Sequence, residues 1–235
     1  MGKAIQLFLF PFAGGSSNSF NNLISELDDA IEPVTVEYAG RGQRNKESFI
    51  VDYNEFLEDV GRFVNDIRKK DLQFATLGYS LGSAISFDLI TRGIIERPNY
   101  IVMCARGDLS KDSPSKRFTS LDEESFVEKI TSLGGIDNRI LENKRFRDIY
   151  FRPLRADYKI WENYEYNNRV LDSDVTVFYS SKDDTCIDVK GWSNLTTGLV
   201  DYHELGDNHF FINNYYKVMA KIINAKLLGD NRNDI

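Results

Sequence analysis

Six short apolar runs constrain this chain more than any other feature: Ile5 to Phe10, Val34 to Tyr38, Phe74 to Gly78, Ile101 to Cys104, Val175 to Tyr179 and Leu199 to Leu205. Most are rich in β-branched or aromatic residues, which suits strands covered on both faces. Helical patterns lie between them. The clearest is Tyr53, Phe56, Leu57, Val60, Val64 and Ile67, an apolar stripe at i, i+3, i+4, i+7 spacing opened by Asp52 with Glu55 three residues on. Similar stripes run over Leu81 to Ile90 and through Tyr215, Val218, Met219 and Ile222. Strands alternating with helices imply an α/β fold with a mostly parallel central sheet flanked by helices.

The rhythm breaks from about Leu109 to Tyr166, where no strand is expected. Phe126, Val127, Ile130 and Leu133 form a helical stripe behind a Ser120-x-x-Glu123 capping box. The segment reads as a helical insertion, dense in Arg145, Arg147, Arg152 and Arg155 and in aromatic residues from Tyr150 to Tyr166. The expected organisation is a core over 1–108 and 167–228, an insertion over 109–166 and a flexible tail over 229–235.

The 235 residues are 42% apolar and carry 29 basic against 36 acidic groups, a net charge of −7, which excludes a disordered chain and disfavours general nucleic-acid binding. The longest apolar stretch, Ala4 to Ala13, includes Gln6 and Pro11 and is too short to span a membrane. It also lacks a cleavage pattern, so neither a membrane anchor nor a signal peptide is expected. Two cysteines far apart, Cys104 and Cys186, point to a reducing cytoplasm rather than a disulfide framework. With only His203 and His209 and no metal-ligand spacing, no metal site is expected.

Chemistry concentrates in Gly78-Tyr79-Ser80-Leu81-Gly82, between a strand pattern and a helix pattern. That context makes it a nucleophile elbow, a strained turn that presents the Ser80 hydroxyl at the start of a helix. A serine needs a base, and His209, in the loop Gly206 to Phe211 after the last strand, suits the order Ser, acid, His better than His203, which sits inside that strand. The acid belongs in the loop after Val175 to Tyr179, where Asp183 and Asp184 are adjacent. An oxyanion hole requires converging backbone amides. Leu81 supplies one and Ala13, with Phe12 as the alternative, the other, from the glycine-containing loop after the first strand. Gly14-Gly15 is equally compatible with a plain turn before a helix capped by Ser16 or Ser17.

Taken together, Phe10-Pro11-Phe12-Ala13-Gly14-Gly15-Ser16, Ala39-Gly40-Arg41-Gly42-Gln43-Arg44, the Ser80 elbow, Leu154-Arg155-Ala156-Asp157 and His209-Phe210-Phe211 resemble the type II thioesterases of non-ribosomal peptide and polyketide synthesis, over nearly the whole chain. The resemblance implies an α/β-hydrolase fold with a helical lid. It also implies hydrolysis of acyl or aminoacyl thioesters from the phosphopantetheine arm of acyl or peptidyl carrier proteins, with no other cofactor. Spacing to Cys186 in the family pattern favours Asp183 over Asp184 as the acid. The chain departs from that pattern at Tyr79, Leu81, Ala39 and Asp207-Asn208, none of which removes a catalytic group.

Because carrier proteins are typically acidic, docking would require a local basic rim such as Arg145, Arg147 or Arg152. A carboxylesterase or a fatty-acyl carrier thioesterase with the same triad, and an idle binding protein of this fold, are the rival readings. A monomer is the default.

Overall fold

The computed structural model describes residues 3–111, 118–132 and 142–229. Six strands, β1 (Ile5–Phe10), β2 (Ile31–Thr35), β3 (Gln73–Tyr79), β4 (Tyr100–Cys104), β5 (Val175–Tyr179) and β6 (Val200–Glu204), form one sheet in the order β2-β1-β3-β4-β5-β6. Every pairing is parallel. Around it lie the single turn α1 (Asn21–Ile24) and the helices α2 (Tyr53–Ile67), α3 (Leu81–Thr91), α4 (Glu123–Ser132), α5 (Lys144–Trp161) and α6 (Ile212–Leu228).

Alternation along β1 decides the layering. Phe8 and Phe10 join one apolar cluster with Phe56 and Val60 of α2 and Ile85 and Phe87 of α3. Leu7 and Leu9 join another with Leu23 of α1 and Met219 and Ile223 of α6. Both faces are therefore covered, and all four β1 side chains have no solvent exposure. Burial of this kind contributes about 1.5–3 kcal/mol per large apolar side chain.

Three elements differ from the sequence expectation. The second strand starts at Ile31 and ends at Thr35, so it contains Pro33 and stops short of the apolar Val36 and Tyr38. Proline fits there because β2 is an edge strand, where one row of backbone N–H groups has no ladder partner. Helix α4 is capped by Asp122, whose carboxylate accepts from the Ser125 amide and hydroxyl, rather than by Ser120, which lies in the 3-10 turn Phe118–Ser120. An aspartate adjacent to the first turn outcompetes a serine that the preceding turn has already used. In α6 the inward stripe is Ile212, Met219, Ala220 and Ile223, leaving Tyr215 and Val218 on the outside.

Helix α2 starts where expected, with Asp52 accepting from the Glu55 amide at 2.9 Å, a cap that contributes about 1 kcal/mol. Ile67 in its last turn is exposed. Between 109 and 166 the described residues contain no strand; α4 and α5 pack through Phe126, Val127, Ile130, Phe151 and Leu154. Leu133 and the tail over 230–235 lie outside the described residues. Among the described residues no helix is long and apolar enough to cross a membrane.

Candidate active site

Parallel strands bring their carboxyl ends to one rim, and β3, β5 and β6 each carry one of the three expected groups just beyond that rim. Ser80 sits between β3 and α3 with φ 54° and ψ −111°, a conformation that side-chain-bearing residues rarely adopt. The surroundings hold it there. The Ser80 amide donates to Cys104 O at 2.8 Å, and the Ser83 hydroxyl lies 2.8 Å from Gly78 O and 3.0 Å from Cys104 O. The two elbow glycines are demanded by close approach. A Cβ on Gly82 would come within 2.0 Å of Phe10 O, and one on Gly78 within 2.4 Å of Gly82 O.

His209 follows β6 in the loop that leads into α6. Its Nδ1 is 2.7 Å from Asp183 Oδ2 and 3.1 Å from Thr185 Oγ1. With Nδ1–H donating to the carboxylate, the lone pair resides on Nε2, the tautomer a general base requires. Asp183 is buried while Asp184 is exposed, so of the two adjacent carboxylates it is Asp183 that meets the imidazole. Its Oδ1 accepts from the Thr185 amide at 2.9 Å and hydroxyl at 2.8 Å, and the Cys186 thiol approaches Oδ2 at 3.4 Å. Burial pushes the Asp183 carboxyl up, but the hydrogen bond and charge of His209, with the Thr185 donors, outweigh it and hold the group below the ordinary carboxylate range.

Ser80 Oγ makes no hydrogen bond to His209 among the described residues. The structure ties the two loops together one residue earlier. The Tyr79 hydroxyl donates to His209 O at 2.6 Å, and the Tyr79 ring packs edge-on against both Phe12 and the imidazole. Nucleophile–base hydrogen bonds are often long or poorly aligned in substrate-free enzymes and form fully only in the substrate complex. His203, on β6, pairs instead with Asp201 at 3.0 Å.

Register places the glycine loop beside the elbow, since Phe10 of β1 pairs with Gly78 of β3. The Leu81 amide, at the first position of α3, donates no hydrogen bond among the described residues, and neither do those of Ala13 and Phe12. These are the donors an oxyanion hole needs. Gly14 and Gly15 are engaged: the Gly15 amide donates to Phe12 O at 2.8 Å and the Gly14 amide to Asp157 at 2.7 Å. Ser16 caps the 3-10 turn Ser17–Phe20, so the loop is also the turn that sequence allows.

Tyr79 and Thr185 were not singled out by the sequence as parts of the site. Tyr79 occupies a motif position whose side chain has no required chemistry, and Thr185 gives no signal beyond its place after Asp183-Asp184. Among the described residues no group of three His, Cys, Asp or Glu side chains is arranged to hold a metal ion.

Comparison with known proteins gives this rim a context. A family model described as a thioesterase domain matches residues 5–227. The thioesterase PikA5 of Streptomyces venezuelae is 27% identical over 234 residues, covering 96% of this chain and 82% of that one. The medium-chain S-acyl fatty acid synthase thioesterase of Rattus norvegicus is 29% identical over 217 residues, covering 88% and 81%. Among solved structures, the RedJ thioesterase of the prodiginine biosynthetic pathway in Streptomyces coelicolor superposes with a TM-score of 0.85 at 26% identity, over 95% of this chain and 86% of that one. The fold is that of the α/β-hydrolases, and the chain belongs to the thioesterase domain family.

Proposed function

We propose that this enzyme hydrolyses acyl or aminoacyl thioesters carried on the phosphopantetheine arm of acyl or peptidyl carrier proteins, clearing stalled non-ribosomal peptide or polyketide assembly lines. The observation that carries the chemistry is the 2.7 Å Asp183–His209 pair beside a strained serine and free amides. Ser80 attacks the thioester carbonyl while His209 Nε2 takes its proton, and Asp183 stabilises the resulting imidazolium. The Leu81 and Ala13 amides receive the oxyanion. His209 then protonates the departing thiolate, and a water activated by the same imidazole cleaves the acyl-enzyme, giving a carboxylic acid and a free thiol. No cofactor beyond the carrier's own arm takes part.

Five sequence motifs in family order support the carrier-bound substrate, as does similarity to the RedJ thioesterase of the prodiginine biosynthetic pathway. Docking of an acidic carrier on a chain of net charge −7 calls for local positive charge. Helix α5 exposes Arg145 and Arg152, with Arg147 half-buried. Arg152 and Lys159 line, with Phe49, Val51 and Phe151, a groove of about 420 Å³.

The test is a hydrolysis screen over carrier proteins loaded with acetyl, longer acyl and aminoacyl groups, against p-nitrophenyl esters and acyl-CoA. Carrier-bound thioesters are expected to turn over fastest, with Ser80→Ala inactive but folded. Faster cleavage of simple esters, or near wild-type turnover by Ser80→Ala, would overturn the reading.

A further inference from the structure

The proposed chemistry leaves two motifs without a task, Ala39–Arg44 and Leu154–Asp157, although they lie over a hundred residues apart and the fold joins them. Arg41 donates from Nη1 to Asp157 Oδ2 and from Nη2 to Asp157 Oδ1, both at 2.6 Å. Asp157 has no solvent exposure and Arg41 almost none. Such a pair is expensive to desolvate, and apolar residues of similar volume would stabilise the fold as well, so its presence calls for a geometric reason.

That reason lies in the glycine loop. Asp157 Oδ2 also accepts the Gly14 amide at 2.7 Å, and Arg41 Nη1 donates to Gly15 O at 3.1 Å. One turn before Asp157 on α5, Leu154 packs so closely on Gly14 that a Cβ there would come within 2.9 Å of Leu154 Cδ1. On the far side of the loop the Tyr38 hydroxyl donates to Pro11 O at 3.0 Å. The loop closes on itself through Gly15 N–H to Phe12 O, with Gly14 at φ +77°. That is the pattern of a type II turn with Ala13 and Gly14 at its centre. Among the described residues, the polar backbone groups of this turn that are gripped from outside belong to Pro11, Gly14 and Gly15, and the Ala13 amide between them donates no hydrogen bond.

We propose that Asp157, held by Arg41, is a positioning residue that orients the Ala13 amide for the oxyanion, and that through it the placement of helix α5 sets the geometry of the oxyanion hole. The inference rests on the serine thioesterase reading and adds to it a link from the insertion to the reacting centre. The charge-assisted hydrogen bond from Gly14 to Asp157 fixes the peptide that follows Ala13 and holds the turn in which Gly15 N–H engages Phe12 O. In that Phe12–Ala13 peptide the Ala13 N–H points the opposite way, so the donor is pre-oriented before charge develops on the substrate oxygen. Movement of α5 displaces Asp157 and Leu154 together, and both bear on Gly14.

The experiment compares wild type with Asp157→Asn, Asp157→Ala and Arg41→Lys, using an acyl-pantetheine thioester as substrate. Asn preserves shape and one acceptor oxygen while removing the negative charge, and with it the ion pair, so it carries the test if Ala fails to fold. The expected result is a kcat loss of about 10- to 100-fold with KM within about threefold, the signature of an interaction made in the transition state. Affinity for an acyl trifluoromethyl ketone, which mimics the tetrahedral intermediate, should fall in parallel, while affinity for a non-hydrolysable acyl-pantetheine amide should hold. A folded Asp157→Asn or Arg41→Lys enzyme with wild-type kcat and ketone affinity overturns the inference, as does a loss confined to KM or shared equally by both inhibitors. A wild-type enzyme that neither hydrolyses the thioester nor reacts at Ser80 with a fluorophosphonate overturns the thioesterase reading and this inference with it. Normal wild-type turnover with indifferent variants removes the positioning role alone.

Discussion

Tyr79 donates its hydroxyl to the carbonyl of His209 at 2.6 Å, so the residue preceding the nucleophile holds the segment that bears the base. The hydroxyl is buried, and burial raises its pKa well above the usual phenol range, keeping it a donor at any working pH. Tyr79→Phe leaves a carbonyl without its donor and frees the His209 loop. A stability loss of about 1 kcal/mol is expected by thermal or urea unfolding. A fall in kcat of about tenfold should accompany it, because small misplacements of a base are costly.

The backbone of Ser80 is the mirror image of an ordinary extended conformation, which only glycine reaches without strain. Ser80→Ala and Ser80→Gly should both lose turnover, yet they should differ in stability. Glycine relieves about 1–3 kcal/mol of strain and gives back part of it in chain entropy. Ser80→Gly should therefore unfold at higher denaturant than Ser80→Ala, by about 1 kcal/mol, in matched urea titrations. Equal stabilities would show that the elbow is not strained.

Arg152 projects into the groove beside Phe49, with its guanidinium 6.0 Å from the ring centroid. If this face receives an acidic carrier protein, Arg152→Glu should raise KM for carrier-bound substrate several-fold and leave acyl-pantetheine turnover unchanged. The effect should shrink as ionic strength rises, since exposed charges are screened over about 8 Å at 0.15 M salt. Steady-state kinetics with the two substrates at two salt concentrations measures it.

How much of this was legible in the sequence follows the range of each interaction. The elbow was legible because its glycines, serine and flanking periodicities fall within a few residues. Asp183 and His209 were legible as loop positions after strands, although only the fold sends Asp183 inward and leaves Asp184 in solvent. Arg41, Asp157 and Gly14 appeared as separate motifs, since no periodicity links residues whose hydrogen bonds span 116 and 143 positions. Pro33 misplaced the second strand because an edge position is a property of the whole sheet.

Cys186 lies against the Asp183 carboxylate. Burial and that negative charge raise its thiol to about 12. At pH 8 the reactive thiolate is then a fraction on the order of one in ten thousand, against roughly a quarter for an ordinary cysteine. Native protein should resist iodoacetamide at Cys186 for hours and become alkylated there once unfolded, as read by peptide mass spectrometry. Rapid native labelling would contradict the placement of this thiol.

The lowered pKa of Asp183 has a consequence for stability with a definite sign. In the unfolded chain this carboxyl titrates near the ordinary value of about 3.9, whereas in the native protein His209 and Thr185 hold it below that. Between the two values the unfolded state binds more protons, so stability rises with pH there. The contribution is fully present above the unfolded value and is lost as pH falls through the native one. Asp183→Asn removes this titration. Urea unfolding of both proteins at intervals between pH 3 and 5, below the ordinary range of histidine, should show the wild-type advantage largest at pH 5 and shrinking towards pH 3. Parallel curves, with a constant difference across that window, would mean that the carboxyl is not stabilised in its charged form and that the 2.7 Å contact with His209 does not orient the base as argued.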